Sequence, residues 1–258
     1  MTKKAGNDKF FFGFTYPVKS IRFFFKHPVL IKYSIVPMII NIFIYGAVFF
    51  LSYSWLIGNI EHLLGADQPG ASFWIEALHV VLIILTFLIV LFICYLLFTV
   101  FGSIITAPFN EEISQRVEEI VTNTKQNELG FWQDAKASIF GEIQKITFYL
   151  VILFILFLFN FVPVIGNVFS TVLGLIFSFY YNALDFLDYP LTRKLATFRL
   201  KLKVTQSGGM ISYGFGCMAF LMMFLPVINV FMKPILVVAG TSLYYEKINP
   251  VRSEGSYR

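Results

Sequence analysis

Four long apolar stretches, none containing Asp, Glu, Lys or Arg, divide the chain. They cover residues 33–60, 77–110, 146–184 and 204–232. Each exceeds the ~20 residues that a helix needs to cross a hydrocarbon core of about 30 Å. Because they are apolar on every face, they predict helices rather than the alternating strands of a membrane barrel. A soluble protein with buried helices is the alternative, and runs of this length and purity argue against it.

Composition and charge strengthen this interpretation and suggest an orientation. The chain is 57% hydrophobic and 14% charged, whereas a typical soluble domain is about 25% charged. Residues 1–32 contain seven Lys or Arg residues and one acid, Asp8, whereas residues 61–76 contain acids and no Lys or Arg. The positive-inside rule therefore predicts a cytoplasmic N-terminus and an outward-facing loop at 61–76.

The charged segment 111–145 and the basic loop around residues 193–203 should both be cytoplasmic, so the third and fourth stretches are predicted to be hairpins. Each contains a central break, and the two breaks are nearly identical in sequence: Pro163-Val164-Ile165-Gly166-Asn167-Val168-Phe169 and Pro226-Val227-Ile228-Asn229-Val230-Phe231. Chance similarity between apolar stretches is the alternative, and the shared order of residues favours an internal repeat.

The length of the hairpin arms bears on how deeply they enter the membrane. Residues 146–162 would form only about 26 Å of helix, which is marginal for a full crossing. Two arrangements remain: six full crossings, or two crossings plus two hairpins that penetrate partway. The sequence favours the second, an all-α integral membrane protein with two long transmembrane helices and two helical hairpins. Its expected parts are a basic cytoplasmic segment (1–32), a single membrane domain (33–245) and a polar tail (246–258). Within the domain, the crossings are expected at 33–60 and 77–108 and the hairpins at 146–184 and 206–245.

Several motifs, taken in order, carry a family resemblance. They are Thr106-Ala107-Pro108-Phe109-Asn110 with Glu118 eight residues later, Leu187-Asp188-Tyr189-Pro190, the paired breaks, and Val238-Ala239-Gly240-Thr241. From His27 to Tyr245 the chain resembles the CysZ-type sulfate permease family, whose relatives include etoposide-induced membrane proteins. The resemblance implies an oligomeric inner-membrane protein that admits sulfate to the cytoplasm for cysteine synthesis. It also implies two long crossing helices and two hairpins that stop partway.

The sulfate-binding segment of that family reads Gly-Leu-Arg just before the first long helix. The corresponding residues here are Val29-Leu30-Ile31-Lys32, which depart from the pattern. Pro28 suits the first position of a helix, and free N–H groups beyond it would attract an anion. Lys26 and Lys32 would supply positive charge, although lysine lacks the bidentate fork of arginine. Ordinary positive-inside flanking is the alternative explanation of both lysines.

Other polar residues near the apolar stretches are candidates for gating. They are Asn110, Glu118 and Asp188, all of which belong to the motifs above. A carboxylate at a membrane boundary can carry protons or gate a path, but a capping or ion-pairing role is the expectation we prefer for Asp185, Asp188 and Glu118.

Catalytic chemistry is not indicated. His27, His62 and His79 stand apart without metal-ligand spacing, and the sequence contains no Walker-type phosphate loop. We expect no enzyme activity, no cofactor, no metal and no nucleic-acid partner. Two functions remain: a transporter or channel for sulfate or a related oxyanion, or a non-transporting membrane scaffold that shapes the bilayer. The expected partners are the lipid bilayer, the anion and further copies of the chain.

Overall fold

The computed structural model describes residues 2–64, 73–124, 131–162, 165–194, 196–224 and 226–248, and within them the chain is built from helices and short connections. The helices are α1 (Thr2–Lys26), α2 (Pro28–Leu64), α3 (Phe73–Thr122), α4 (Phe131–Phe159), α5 (Ile165–Leu187), α6 (Tyr189–Arg193), α7 (Phe198–Ser207), α8 (Met210–Met223) and α9 (Pro226–Leu243). A π-helical turn, Tyr244–Ile248, follows α9 directly. The prediction of an all-helical fold is confirmed for these residues.

Four of the helices are long and apolar enough to cross a membrane. The qualifying segments are Pro28–Ile60, Glu76–Thr122, Ala135–Phe159 and Gly166–Leu187. Helix α8 is apolar but has 14 residues, or about 21 Å at 1.5 Å per residue. The prediction of a multi-pass membrane protein is therefore confirmed, while the number of full crossings stays a prediction.

Helix α3 is longer than the predicted second crossing. It continues through Pro108 and Asn110 and ends at Thr122, so the start of the charged segment 111–145 is the last part of the same helix. The basic N-terminal segment is also helical, because α1 occupies most of it and a single residue, His27, separates α1 from α2.

Each predicted break lies at a junction between two helices, and most of its motif belongs to the second helix. Residues 165–169 form the start of α5 after α4, and residues 226–231 form the start of α9 after α8. Pro163, Val164 and Leu225 lie outside the described residues. The extra glycine of the first break has a packing reason. A Cβ atom on Gly166 would collide with the carbonyl oxygen of Phe159, so the first turn of α5 needs a glycine to pass the end of α4.

The chain forms two compact units, residues 1–36 with 106–258 and residues 37–105. In the first unit α1 packs along α8, α8 packs against α5, and α4 packs against α5. The core of this unit is centred on buried residues of α5, α8 and α9, including Phe186, Phe215 and Leu236.

The second unit consists of the apolar parts of α2 and α3. Phe87 lies edge-on to Phe49 and Tyr53, and the Tyr45 hydroxyl donates to the Leu97 carbonyl at 3.3 Å. A groove of about 660 Å³ opens between these helices and is lined mainly by apolar side chains. Most large side chains of the unit are exposed, including Phe43 and Phe92, as expected for a surface in contact with hydrocarbon.

Candidate functional site

A lysine at the boundary of the third apolar stretch is completely enclosed by the protein. Lys145 is the last charged residue of α4 before that stretch, and its side chain is 1% exposed. Its ammonium lies 2.8 Å from a Glu142 carboxylate oxygen and 2.6 Å from Asp185 Oδ1. A third carboxylate, that of Asp188, lies 3.7 Å away. The helical spacing of three between Glu142 and Lys145 places both side chains on one face of α4.

A second lysine reaches one of these carboxylates, that of Asp188, from α7. The Lys201 ammonium lies 2.8 Å from Asp188 Oδ1 and donates to Thr192 Oγ1 at 2.8 Å. Thr192 Oγ1 in turn donates to Asp188 Oδ2 at 3.3 Å. Gly141 leaves room for this ammonium, because a Cβ atom there would lie 3.3 Å from Lys201 Nζ.

The Leu-Asp-Tyr-Pro motif fixes the position of Asp188. Asp188 separates α5 from α6, and Pro190 stands in the first turn of α6, where a missing N–H does no harm. The N–H groups of Leu191 and Thr192 donate to the Asp188 carbonyl at 2.9 and 3.0 Å. The short turn therefore holds the carboxylate between Lys145 and Lys201.

Tyr189 connects this network to α3. The Asn110 amide donates to the Tyr189 hydroxyl at 3.2 Å, and Lys145 Nζ lies 4.9 Å from the centre of the Tyr189 ring. Burial raises the pKa of the Tyr189 phenol well above its usual value; Lys145 opposes this rise, whereas Asp185 and Glu142 add to it. The phenol consequently stays neutral.

We call the set of Asn110, Glu142, Lys145, Asp185, Asp188, Tyr189, Thr192 and Lys201 the buried charge network. It contains three carboxylates and two ammonium groups, and Lys233 also acts electrostatically on Asp185. The network lies at the base of the α4–α5 pair, opposite the break, where the apolar arms meet polar sequence. Isolated charges at such depth are costly, and mutual pairing is what makes their burial tolerable.

Glu118 belongs to a separate contact. It is 1% exposed, and its carboxylate lies 3.7 Å from the ammonium of Lys194. Lys194 also donates to the Tyr245 hydroxyl at 3.1 Å, while Thr241 on α9 donates to Ser114 on α3 at 2.8 Å. These contacts tie the last turns of α3 to the end of α9. The structure thus brings Asn110 and Asp188 together and places Glu118 in a different cluster.

The residues of the predicted anion site lie around the start of α2. The helix begins at Pro28 as expected, with Lys26, Val29 and Lys32 exposed. Leu30, however, is fully buried, and its N–H donates to the His27 carbonyl at 3.0 Å. The Leu30 N–H, one of the groups beyond Pro28 that were expected to attract an anion, is therefore already used within the protein. Ile31 packs partly against the core, and the site as a whole stays a prediction.

Sequence reasoning missed Glu142, Lys145, Thr192 and Lys201. Lys201 belongs to a run of basic residues, and such runs normally flank a membrane segment at its cytoplasmic side. The sequence therefore predicted an exposed lysine there rather than a buried one. Lys145 is the last charged residue before an uncharged stretch, and this position was the one sequence signal that could have indicated a functional role for it. The expected ion pairing of Asp185 and Asp188 is present, with Lys145 and Lys201 as the partners. In the part of the chain that the structure describes, no group of three His, Cys, Asp or Glu residues could hold a metal ion.

Fold and site together define a class: a multi-pass helical membrane protein that buries a network of fixed charges at the base of a helix pair. The chain belongs to the family described as Sulfate transporter CysZ/Etoposide-induced protein 2.4, whose model matches residues 16–234.

Individual relatives align over most of the chain. The sulfate transporter CysZ of Salmonella typhimurium is 24% identical over 222 residues, which cover 85% of this chain and 86% of that protein. The sulfate transporter CysZ of Pseudomonas paraeruginosa is 29% identical over 232 residues, covering 88% and 90%. The expected family membership is confirmed.

Proposed function

We propose that this chain transports sulfate, or a closely related oxyanion, across the inner membrane into the cytoplasm, where the anion supplies cysteine biosynthesis. Membership of the family carries this proposal, since relatives named as sulfate transporters align with 85–88% of the chain. Their names describe transporters, which agrees with a protein that is not an enzyme.

The buried charge network supports a transport role. Charged groups within apolar helices are expensive, and in membrane proteins they commonly mark substrate or ion pathways. Here α3, α4, α5, α6 and α7 each contribute at least one member, so a movement of any of these helices would change the pairing. We assign Asn110 and Asp188 a gating role within this network, and Glu118 a supporting role through its contact with Lys194.

The entry site for the anion is proposed at the start of α2. Lys26 and Lys32 are exposed on either side of Pro28, and the positive end of the helix dipole lies between them. Val29 and Ile31 supply the remaining backbone donors, and Leu30 anchors the segment in the core. Lysine binds an oxyanion as a point charge, so we expect weaker binding than an arginine-containing segment would provide.

Orientation and assembly complete the proposal. The basic segment 1–32 supports a cytoplasmic N-terminus by the positive-inside rule. The large apolar surface of α2 and α3 would contact lipid and further copies of the chain, which supports a homo-oligomer.

Uptake of labelled sulfate by liposomes containing the purified protein tests the transport function directly. We expect saturable uptake above that of protein-free liposomes, with competition by unlabelled sulfate. A protein that is folded and inserted but takes up no sulfate would contradict the proposal.

The second candidate function is a non-transporting membrane scaffold. The departure from Gly-Leu-Arg at residues 29–31 favours it, because Val29 and Ile31 add no charge to the anion segment. Such a protein would give no uptake in the same liposomes while changing their size or shape, which light scattering would detect.

A further inference from the structure

The exposed face of α1 is divided into two parallel bands of different chemistry. Phe11, Val18 and Phe25 recur every seven residues and are 61%, 46% and 62% exposed. Seven residues are close to two helical turns, so these three side chains form one apolar line along the helix. Lys19 and Lys26, also seven apart and exposed, form a second line, and the exposed Arg22 lies between the two lines.

The opposite face of α1 fixes this surface in place. Gly13, Tyr16 and Ser20 are buried, and Gly13 and Gly214 bring the backbones of α1 and α8 into direct contact, because a Cβ atom on either glycine would collide with a carbonyl oxygen of the other helix. The helix therefore cannot rotate to hide the apolar line without losing its packing.

The end of α1 is joined closely to a helix that can span the membrane. His27 is the single residue between them; its N–H donates to the Phe24 carbonyl at 3.2 Å, and its own carbonyl accepts from Leu30 at 3.0 Å. Its Nδ1 also lies 2.8 Å from the Phe23 carbonyl oxygen. The last turns of α1 are thus held next to the point where α2 enters the apolar stretch.

We propose that this face of α1 binds the headgroups of anionic phospholipids at the membrane surface on the N-terminal side. The apolar line enters the acyl boundary, while Lys19, Arg22 and Lys26 contact the lipid phosphates above it, the arrangement of an interfacial amphipathic helix. Charge complementarity selects an anionic lipid over a zwitterionic one, because the sequence from Phe11 to Lys26 contains no Asp or Glu. Binding of this face to a second copy of the chain is the alternative. It would not explain why an apolar line and a basic line lie side by side on one helix, next to the point where α2 enters the membrane.

The test compares lipid binding by the full-length protein in a neutral detergent, using phosphatidylglycerol and phosphatidylcholine as probes and native mass spectrometry as the measurement. The double variant Lys19→Gln/Arg22→Gln leaves Lys26, a member of the proposed sulfate site, unchanged. A basic residue near an anionic surface contributes about one kcal/mol, so the double variant should bind phosphatidylglycerol roughly 30-fold more weakly. Phosphatidylcholine binding should change little.

Lys9→Gln is the matched control, because Lys9 is an exposed lysine of the same helix that lies away from the two lines. It should keep phosphatidylglycerol binding within about twofold of wild type.

Phe25→Ser should weaken binding of both lipids. Inorganic phosphate should not compete with either lipid, and this result separates a lipid-binding surface from a small-anion site. Equal binding of both lipids by wild type, an undiminished preference in the double variant, or an equal loss in Lys9→Gln would each overturn the proposal. None of these outcomes depends on whether the protein transports sulfate.

Discussion

At the level of single residues, Lys145 shows how the protein keeps a charge inside an apolar environment. Its ammonium has two carboxylate oxygens within 2.8 Å and the face of the Tyr189 ring on another side. The attraction offsets the cost of removing these ions from water only while every partner remains. The network is therefore sensitive to the loss of any one member.

Replacing Lys145 by Met should lower the free energy of unfolding by about 3–5 kcal/mol, because Glu142 and Asp185 would stay buried without their common cation. Lys136→Met is the control, since Lys136 is an exposed lysine of the same helix and should change stability by less than about 0.5 kcal/mol. Denaturant unfolding in detergent micelles measures both. Equal stability of the two variants would show that the buried pairs contribute little.

The anion site makes a separate prediction at the level of one side chain. Lys32→Glu should abolish sulfate binding because a negative charge would face the anion, whereas Lys32→Arg should keep or improve it through a bidentate contact. Isothermal titration with sulfate measures both variants, with Lys136→Glu as a distant control of the same charge change. If Lys32→Glu binds sulfate as wild type does, the site lies elsewhere or sulfate is not the ligand.

At the level of helices, close backbone contact joins α1 to α8. Small residues allow this approach in membrane proteins, where the hydrophobic effect does not drive helices together. Gly13 faces the Ile211 carbonyl and Gly214 faces the Phe10 carbonyl, so each glycine sits against the backbone of the other helix. Gly216 contacts the Phe179 carbonyl of α5 in the same manner, which makes α8 the central helix of this group.

Gly13→Ala should therefore destabilise the protein by about 1–3 kcal/mol, because the added methyl group would force the two helices apart. Gly6→Ala on the same helix is the matched control: a Cβ atom added to Gly6 would have no neighbouring atom within 4 Å, and alanine favours a helix over glycine by about 1 kcal/mol. Thermal unfolding of the two variants should shift in opposite directions. A stabilised Gly13→Ala protein would contradict the close packing.

The helices and their breaks could be predicted from the sequence, whereas the contacts between helices could not. Long uncharged runs, Pro28 and the paired breaks are local signals, and each corresponds to a helix or a helix boundary in the structure. The contact between Lys201 and Asp188 depends on the packing of α7 against α5, and no local sequence pattern predicts that packing. The extension of α3 past Asn110 was also missed, because polar residues look the same on a helix as in a loop.

At the level of the whole molecule, the proposed orientation rests on charges distributed over several loops. Single cysteines introduced at Ala66, which lies outside the described residues, and at Thr197 should react from opposite sides of the membrane in a protein lacking Cys94 and Cys217. The acidic loop should react with an impermeant reagent added outside, and the basic loop only after the membrane is opened. Reaction of both from one side would exclude the proposed topology.

The depth of the hairpins decides how many times the chain crosses the membrane. Helix α8 has 14 residues, and about 21 Å of helix is shorter than a hydrocarbon core of about 30 Å. The second hairpin should therefore turn within the membrane, and a cysteine at Val227 should resist an impermeant thiol reagent added outside. The matching sequence of the first break extends this expectation to Val164, although α4 and α5 are each long enough to cross.

The cysteine at Ala66 is the positive control for outside labelling, and the same reagent added after detergent should reach all three positions. Rapid outside labelling at Val227 would establish a full crossing there, and labelling at Val164 alone would give a protein with four crossings and one partial hairpin.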